Sequence, residues 1–323
     1  MGNITPFIVM TTIDKPSAIS KKIIETAEEK YQNVVVVGDR KTPKEWEWVR
    51  GITYLPVRKG ELLDSYARKN IGYLYAIKNG ATHIFDMDDD NEPLSHWGRL
   101  NFVSDICKYV NANNWINIYR LFGEDIIWPR GLPLNAINNS CGMLKNFPIP
   151  KNVAIWQSLC VGEPDTDAIW RLLNNKEVYF SDNISVILEK NTICPFNAQN
   201  TLFNKEAFLL LYLPHTVTMR FSDILRSVIA QPILWAAGYL IGFTEATALH
   251  KRHEHDLMKD FYDEIPCYAN IEKAYKIVKE TVTEDKSIEA NLIACYIALT
   301  DAGITTKDEV VGILNWCWEI NNV

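Results

Sequence analysis

The sequence predicts an α/β protein: a mostly parallel central sheet flanked by helices, followed by a helical appendage. Three observations point there. Apolar, β-branched runs alternate with segments of helical period through the first half of the chain. One such run, Asn33 to Val37 (NVVVV), has no polar alternation, as in strands buried on both faces of a parallel sheet. Beyond Pro266 the pattern changes to amphipathic helices joined by short links. The expected division is therefore an α/β domain over residues 1–262 and a helical appendage over 263–323.

The 323 residues are 47% hydrophobic and 23% charged, enough for one sizeable domain or two modest ones. A net charge of −7 argues against a surface devoted to nucleic-acid backbone. Seven cysteines without a CxxC pair point away from a zinc site or a disulfide framework and toward reduced thiols in a cytosol-like compartment. The N-terminus shows no basic leader, and no apolar run approaches the roughly 18 residues a membrane span needs, so a cytoplasmic protein is expected.

Pro6 to Thr12 is the first strand. Ser17 is placed to cap a helix from Ala18 to Lys30. The NVVVV strand then ends at Gly38-Asp39-Arg40. This strand–helix–strand unit is a nucleotide-binding pattern, and ligands of such sheets gather at the carboxyl ends of the strands. Thr11, Thr12, Asp14, Asp39 and Arg40 fall there. Asp39 is suited to a uracil N–H and Arg40 to phosphate; ordinary turn roles explain both as well. Ile52 to Val57 is a third strand. Asp64 is expected to cap a helix from Ser65 to Asn79, stopped by a left-handed Gly80. Arg68 and Lys69 in its first turn oppose the helix dipole unless an anion such as a diphosphate lies close by; a solvated pair is the alternative.

Ala81 to Leu94 (ATHIFDMDDDNEPL) is the most informative stretch. A short apolar strand runs into four carboxylates within five residues, Asp86, Asp88, Asp89 and Asp90. Such a group repels itself and calls for compensation, most simply a hard divalent cation, Mg²⁺ or Mn²⁺, unless the turn is merely solvated. A helix is expected over 96–111 and a strand over 116–121. A proline-framed loop then surrounds Arg130. A strand follows over 154–159, an acidic loop with Asp165 and Asp167, and a helix over 168–174. Asn197, Gln199 and Asn200 are amides suited to a hydroxyl-rich ligand. A helix-like segment, interrupted at Pro232, runs from Asp223 to Ala237. His250, His253 and His255 follow an apolar strand over 239–243, and one of them could bind metal. The last helices are expected over 271–280, 288–302 and 307–320, as a surface for packing, self-association or acceptor docking.

The segments VVVGDRKTP (35–43), YARKNIGYLYAIKNGATHIFDMDD (66–89), WPRGLPL (128–134), GEPDTDAIW (162–170), CPFNAQNTLF (194–203) and LPHTVTMRFSDILRSVIAQPILW (213–235) occur in one order. With them the chain resembles the STELLO-type glycosyltransferase domain and, more distantly, the reversibly glycosylated polypeptides, which are UDP-arabinopyranose mutases. The resemblance implies a GT-A fold and a transferase that uses a UDP-sugar and Mn²⁺ or Mg²⁺. It implies Asp88, Asp90 and His250 as metal ligands, with the register of the carboxylate pair open by two residues because Asp86 also matches. Thr11, Thr12, Asp39, Arg40, Arg68, Lys69, Asp88 and Asp165 would then surround the donor. Asp223 falls where inverting enzymes place a general base, Asp167 is a second carboxylate near the sugar, and Arg130 matches the arginine glycosylated in the mutases. A UDP-sugar mutase and a non-catalytic UDP-sugar-binding module are the alternative readings. The acceptor is left open: glycan, protein, small molecule or modified nucleobase. The membrane anchor and large extra region of STELLO proteins are unmatched, so their location and role in cellulose synthesis are not carried over.

Overall fold

The structure, a computed structural model, describes residues 4–30, 32–98, 106–123, 127–139, 144–148, 150, 152–174, 176–251 and 256–323. The chain begins with β1 (Pro6–Thr12), α1 (Ala18–Glu29) and β2 (Asn33–Gly38). The Ser17 cap is present as a reciprocal capping box with Ser20. β3 (Ile52–Leu55), α2 (Lys69–Lys78) and β4 (His83–Met87) complete a parallel four-stranded unit in the order β3-β2-β1-β4. Gly80 ends α2 at a φ of 79°. Alternate β1 side chains go to opposite faces. Ile8 and Met10 pack with Ile23, Ile24 and Ala27 of α1, while Phe7 and Val9 join Tyr73, Ala76 and Ile77 of α2.

Beyond β4 the sheet is mixed. Among the described residues β5 (Asn91–Pro93), β6 (Ile106–Val110), β7 (Lys145–Pro148), β8 (Val153–Gly162), β9 (Ser185–Leu188), β10 (Asn200–Asn204) and β11 (Leu240–His250) extend it to eleven strands in the order β3-β2-β1-β4-β10-β8-β11-β9-β6-β7, with β5 on β11. β10 runs antiparallel between β4 and β8, and β8 runs parallel to β11. The carboxyl ends of β4 and β11 thus come within reach of each other, which is what assembles the site.

α3 (Ala168–Asn174) lies outside the sheet, and α4 (Met219–Ala236) is buried along nearly its whole length. α5 (Leu257–Thr281) and α6 (Ile288–Asp301) pack on α4 and on each other, α7 (Lys307–Asn321) packs on α6 and α2, and all three join the same core through Cys267, Ile271, Leu292, Tyr296 and Trp316. The expected division at 262/263 falls inside α5, whose start is set by the Asp256 N-cap. Among the described residues no helix is long and apolar enough to cross a membrane.

Several elements differ from expectation. The described part of the helix expected over 96–111 contains strand β6 instead; residues 99–105 lie outside the described residues. Its ICKYV sequence favours an extended chain, with parallel pairing to β9 and antiparallel pairing to β7. The strand expected over 116–121 is a short 3₁₀ helix, Ile118–Phe122, because Ile118, Tyr119 and Phe122 bury one helical face. Asp64 does not cap α2. It takes a φ of 52°, and Ser65 caps a 3₁₀ turn over Tyr66–Arg68 before α2 begins. α4 starts at Met219 and continues through Pro232, so Asp223 is interior rather than a cap. His253 and His255 lie outside the described residues.

Candidate active site

At the end of β4 the four aspartates separate into different roles. Asp86 is fully buried and stands 2.7 Å from both Lys69 Nζ and Arg226 Nη2. Two buried cations thus flank one buried anion, whose burial without them would be costly. Lys69 Nζ also donates to Asp88 Oδ1 at 3.1 Å and to the Ala198 carbonyl at 3.1 Å. Burial works against its charge, yet the carboxylates of Asp86 and Asp88 hold its pKa above the ordinary value. Tyr66 Oη donates to Asp88 Oδ1 at 2.7 Å. Burial raises Asp88, with Lys69 opposing. Burial also pushes Asp89 up to about 6, against a hydrogen bond from the Thr12 side chain.

Asp90 faces the end of β11. His250 Nε2 lies 3.1 Å from Asp90 Oδ2, and Nδ1 contacts the Glu163 carbonyl. Burial disfavours the imidazolium, but the hydrogen bond and charge of Asp90 hold it up to about 9. Asp88, Asp90 and His250 line a polar chamber of about 160 Å³ together with Gln199, Asp165, Arg130, Arg220 and Asp223.

Across the chamber, Arg130 is clamped by two carboxylates. Its Nε and Nη2 reach Asp165 at 2.9 and 2.8 Å, and its Nη1 and Nη2 reach Asp223 at 2.9 and 2.8 Å. Although burial opposes it, this pairing holds the guanidinium well above its ordinary pKa. The approach of the Arg130 loop to α4 requires Gly131. That residue has a φ of 82°, and an added Cβ would stand 2.2 Å from Ile224 Cγ2. Asp223 also accepts from the Ala198 amide at 3.2 Å.

The chamber opens into a larger cleft of about 430 Å³, sharing Asp88, Arg130, Arg220 and Asp223. The start of α5 lines it through Lys259, Asp260, Asp263 and the N-cap Asp256, and Tyr66 and Met219 complete the lining. Reading the sequence missed these α5 residues, as well as Arg226, Tyr66 and Arg220. A polar stripe at spacings of three and four over 256–263 was the available signal.

Other expected site residues are committed elsewhere. Arg68 is buried, donating to the carbonyls of Gly38 and Leu62 at 2.7 and 2.6 Å and to Glu61 at 3.2 Å. With Lys69 turned onto Asp86, the expected diphosphate-binding pair points inward. Buried cations take internal acceptors before a ligand can. Asp39 accepts from the amides of Arg40, Asp64 and Ser65 at 2.6, 3.0 and 3.2 Å, so it shapes a turn. Arg40 is exposed and pairs with Asp64. Thr11 Oγ1 donates to the Val37 carbonyl at 2.9 Å, and Thr12 Oγ1 accepts from the Asp14 amide at 3.1 Å. Asp167 caps α3, accepting from the Trp170 amide at 2.8 Å and Trp128 Nε1 at 2.7 Å, and burial pushes it up to about 6. It does not line either cavity.

Among the described residues no three His, Cys, Asp or Glu groups form a ready-made metal shell. The donors still fit a divalent cation that shares a diphosphate, since Mg²⁺ typically takes one or two carboxylates and completes its shell with phosphate and water. Asp88 and Asp90 are hard oxygen donors, and His250, oriented by Glu163, is a nitrogen donor that Mn²⁺ accepts.

No protein-family model matches the chain. The chain is 26% identical to probable glycosyltransferase STELLO1 and 25% identical to probable glycosyltransferase STELLO2, both of Arabidopsis thaliana, over alignments of 350 residues. Each alignment covers 97% of this chain and 44% of the relative, so the chain spans less than half the length of the curated relatives it matches. The resemblance to STELLO-type glycosyltransferases is thereby borne out over nearly the whole chain. A crystal structure of a mycobacterial protein aligns with a TM-score of 0.45 at 10% identity, covering 85% of this chain and 74% of that one, a likeness too low to carry an argument.

Proposed function

We propose that the protein is a metal-dependent glycosyltransferase that takes its sugar from a UDP-sugar. The observation that carries this reading is the convergence of Asp88, Asp90 and His250 on one polar chamber that opens into a wider cleft. The relatedness to proteins named as glycosyltransferases supports it. Asp88, Asp90 and His250 would hold Mn²⁺ or Mg²⁺, which when bound would neutralise charge on the departing diphosphate. Lys69 and Tyr66 fix the Asp88 carboxylate in place. Arg130, held by Asp165 and Asp223, would give the same chamber a rigid wall against which the donor is positioned. The 430 Å³ cleft is large enough for a sugar ring and part of an acceptor.

The double clamp weighs against a mutase working through Arg130. A nucleophilic guanidinium would have to lose a proton, and two carboxylates hold that proton in place. The test is incubation with each common UDP-sugar and Mn²⁺, with and without EDTA, followed by chromatography. EDTA-sensitive release of UDP from one donor supports the transferase and names its sugar. A new UDP-sugar isomer without UDP release would mean a mutase.

A further inference from the structure

We propose that Asp263, on the first half of α5, is the general base that takes the acceptor's proton. This rests on the transferase reading above. A base needs a carboxylate lone pair that is free and faces the cleft. The other carboxylates along the two cavities are engaged. Asp88 accepts from Tyr66 and Lys69, Asp90 faces His250, and Asp165 and Asp223 hold Arg130. Asp256 accepts from the amides of Met258 and Lys259, and Asp260 pairs with Arg171 at 3.1 Å. Asp263 lines the larger cleft, is half-buried, and among the described residues its carboxylate has no hydrogen-bond or ion-pair partner.

Its position is nevertheless fixed. The Asp263 carbonyl accepts from Thr218 Oγ1 at 2.7 Å, tying α5 to the N-cap residue of α4. The neighbouring Glu264 holds Arg220 Nε at 2.9 Å and accepts from the Ala168 amide at 2.7 Å. On this assignment the acceptor is a hydroxyl compound that reaches the cleft along α5. Its oxygen bonds to the anomeric carbon as that carbon's bond to the diphosphate breaks, and the electron pair leaves with UDP. The hydroxyl proton passes to the Asp263 carboxylate and then to water. Displacement of this kind inverts the anomeric centre.

The test uses the full chain, Mn²⁺ and the UDP-sugar that the wild type consumes fastest, with water and glycerol as acceptors. Asp263→Asn should leave the Kd for UDP within twofold and lower turnover by about 10²- to 10⁴-fold. Asp263→Ala should regain at least about tenfold of its lost rate with added formate, which supplies the missing carboxylate. Turnover by Asp263→Asn within about threefold of the wild type, or a loss that formate does not restore, overturns the assignment. If the wild type binds no UDP and releases none from any donor, the transferase reading itself fails, and the assignment with it.

Discussion

Arg130 and Asp223 face each other through two parallel hydrogen bonds of 2.9 and 2.8 Å, at the boundary between the polar chamber and the wider cleft. The same guanidinium holds Asp165 equally closely. One side chain thus locks the loop around Arg130, the loop around Asp165 and helix α4 into a single wall.

That geometry predicts a large cost for Arg130→Ala. Two buried carboxylates would lose their counter-charge, and stability should fall by about 3–5 kcal/mol. Arg130→Lys should recover only part, because an ammonium cannot fork between two carboxylates. Urea denaturation of the three proteins measures this; equal midpoints would refute it.

Lys69→Met should also destabilise by several kcal/mol, on the order of 3–5, since Asp86 would keep only Arg226. Asp86→Asn should cost at least as much, because it takes the carboxylate from both Lys69 and Arg226, and the double variant should lose less than the sum of the two single losses, because the Lys69–Asp86 interaction is removed only once. A double-mutant cycle by thermal unfolding reads the coupling. Additive losses would show that the two side chains act independently.

Gly131→Ala should be destabilising by about 1–3 kcal/mol, because the left-handed φ and the close Ile224 methyl both oppose a Cβ. If the clamp depends on this loop, the same variant should lower turnover without changing the Kd for UDP. Unchanged unfolding temperature and unchanged turnover would separate Gly131 from the site.

The appendage gives a pH prediction. Glu309 of α7 is buried, accepting from Tyr212 Oη at 2.6 Å and from the Thr216 amide and hydroxyl at 2.8 and 2.7 Å, with His215 Nδ1 at 3.0 Å. The hydrogen bond to Glu309 raises His215, with burial opposing. Burial would raise Glu309, but its donors, His215 first, hold it below its ordinary value. The histidine's contribution is full below its ordinary 6.5 and is lost as pH rises through its raised value. The glutamate's is full above its ordinary 4.5 and is lost as pH falls through its lowered value. The pair therefore stabilises most between pH 4.5 and 6.5. The stability difference between wild type and His215→Asn, followed by denaturation across pH, should shrink as pH rises above that window. A difference independent of pH would refute the pair.

Much of the fold was legible because local chemistry and tertiary role agree. Ser17 caps α1, Gly80 ends α2, and the NVVVV run is buried between neighbouring strands. The segments over 106–110 and 118–122 were not, because short apolar stretches suit a strand or a helical turn equally and their neighbours decide. The site was legible as a set of residues rather than as roles. The sequence shows four carboxylates at the end of β4 but not which of them faces inward. Two distant cations, Lys69 and Arg226, draw Asp86 into the core. Asp263 was marked only by the polar stripe over 256–263, which an ordinary solvated helix face shows equally, and it is the fold that brings that stripe to the cleft.

The most direct measurement is UDP binding by titration calorimetry with Mn²⁺, with EDTA, and with the Asp90→Ala variant. If Asp88, Asp90 and His250 hold a cation that grips the diphosphate, Mn²⁺ should tighten UDP binding by at least about tenfold, or 1.4 kcal/mol, in the wild type and not in the variant. Equal affinity with Mn²⁺ and with EDTA, or an Asp90→Ala variant that responds to Mn²⁺ like the wild type, would contradict it.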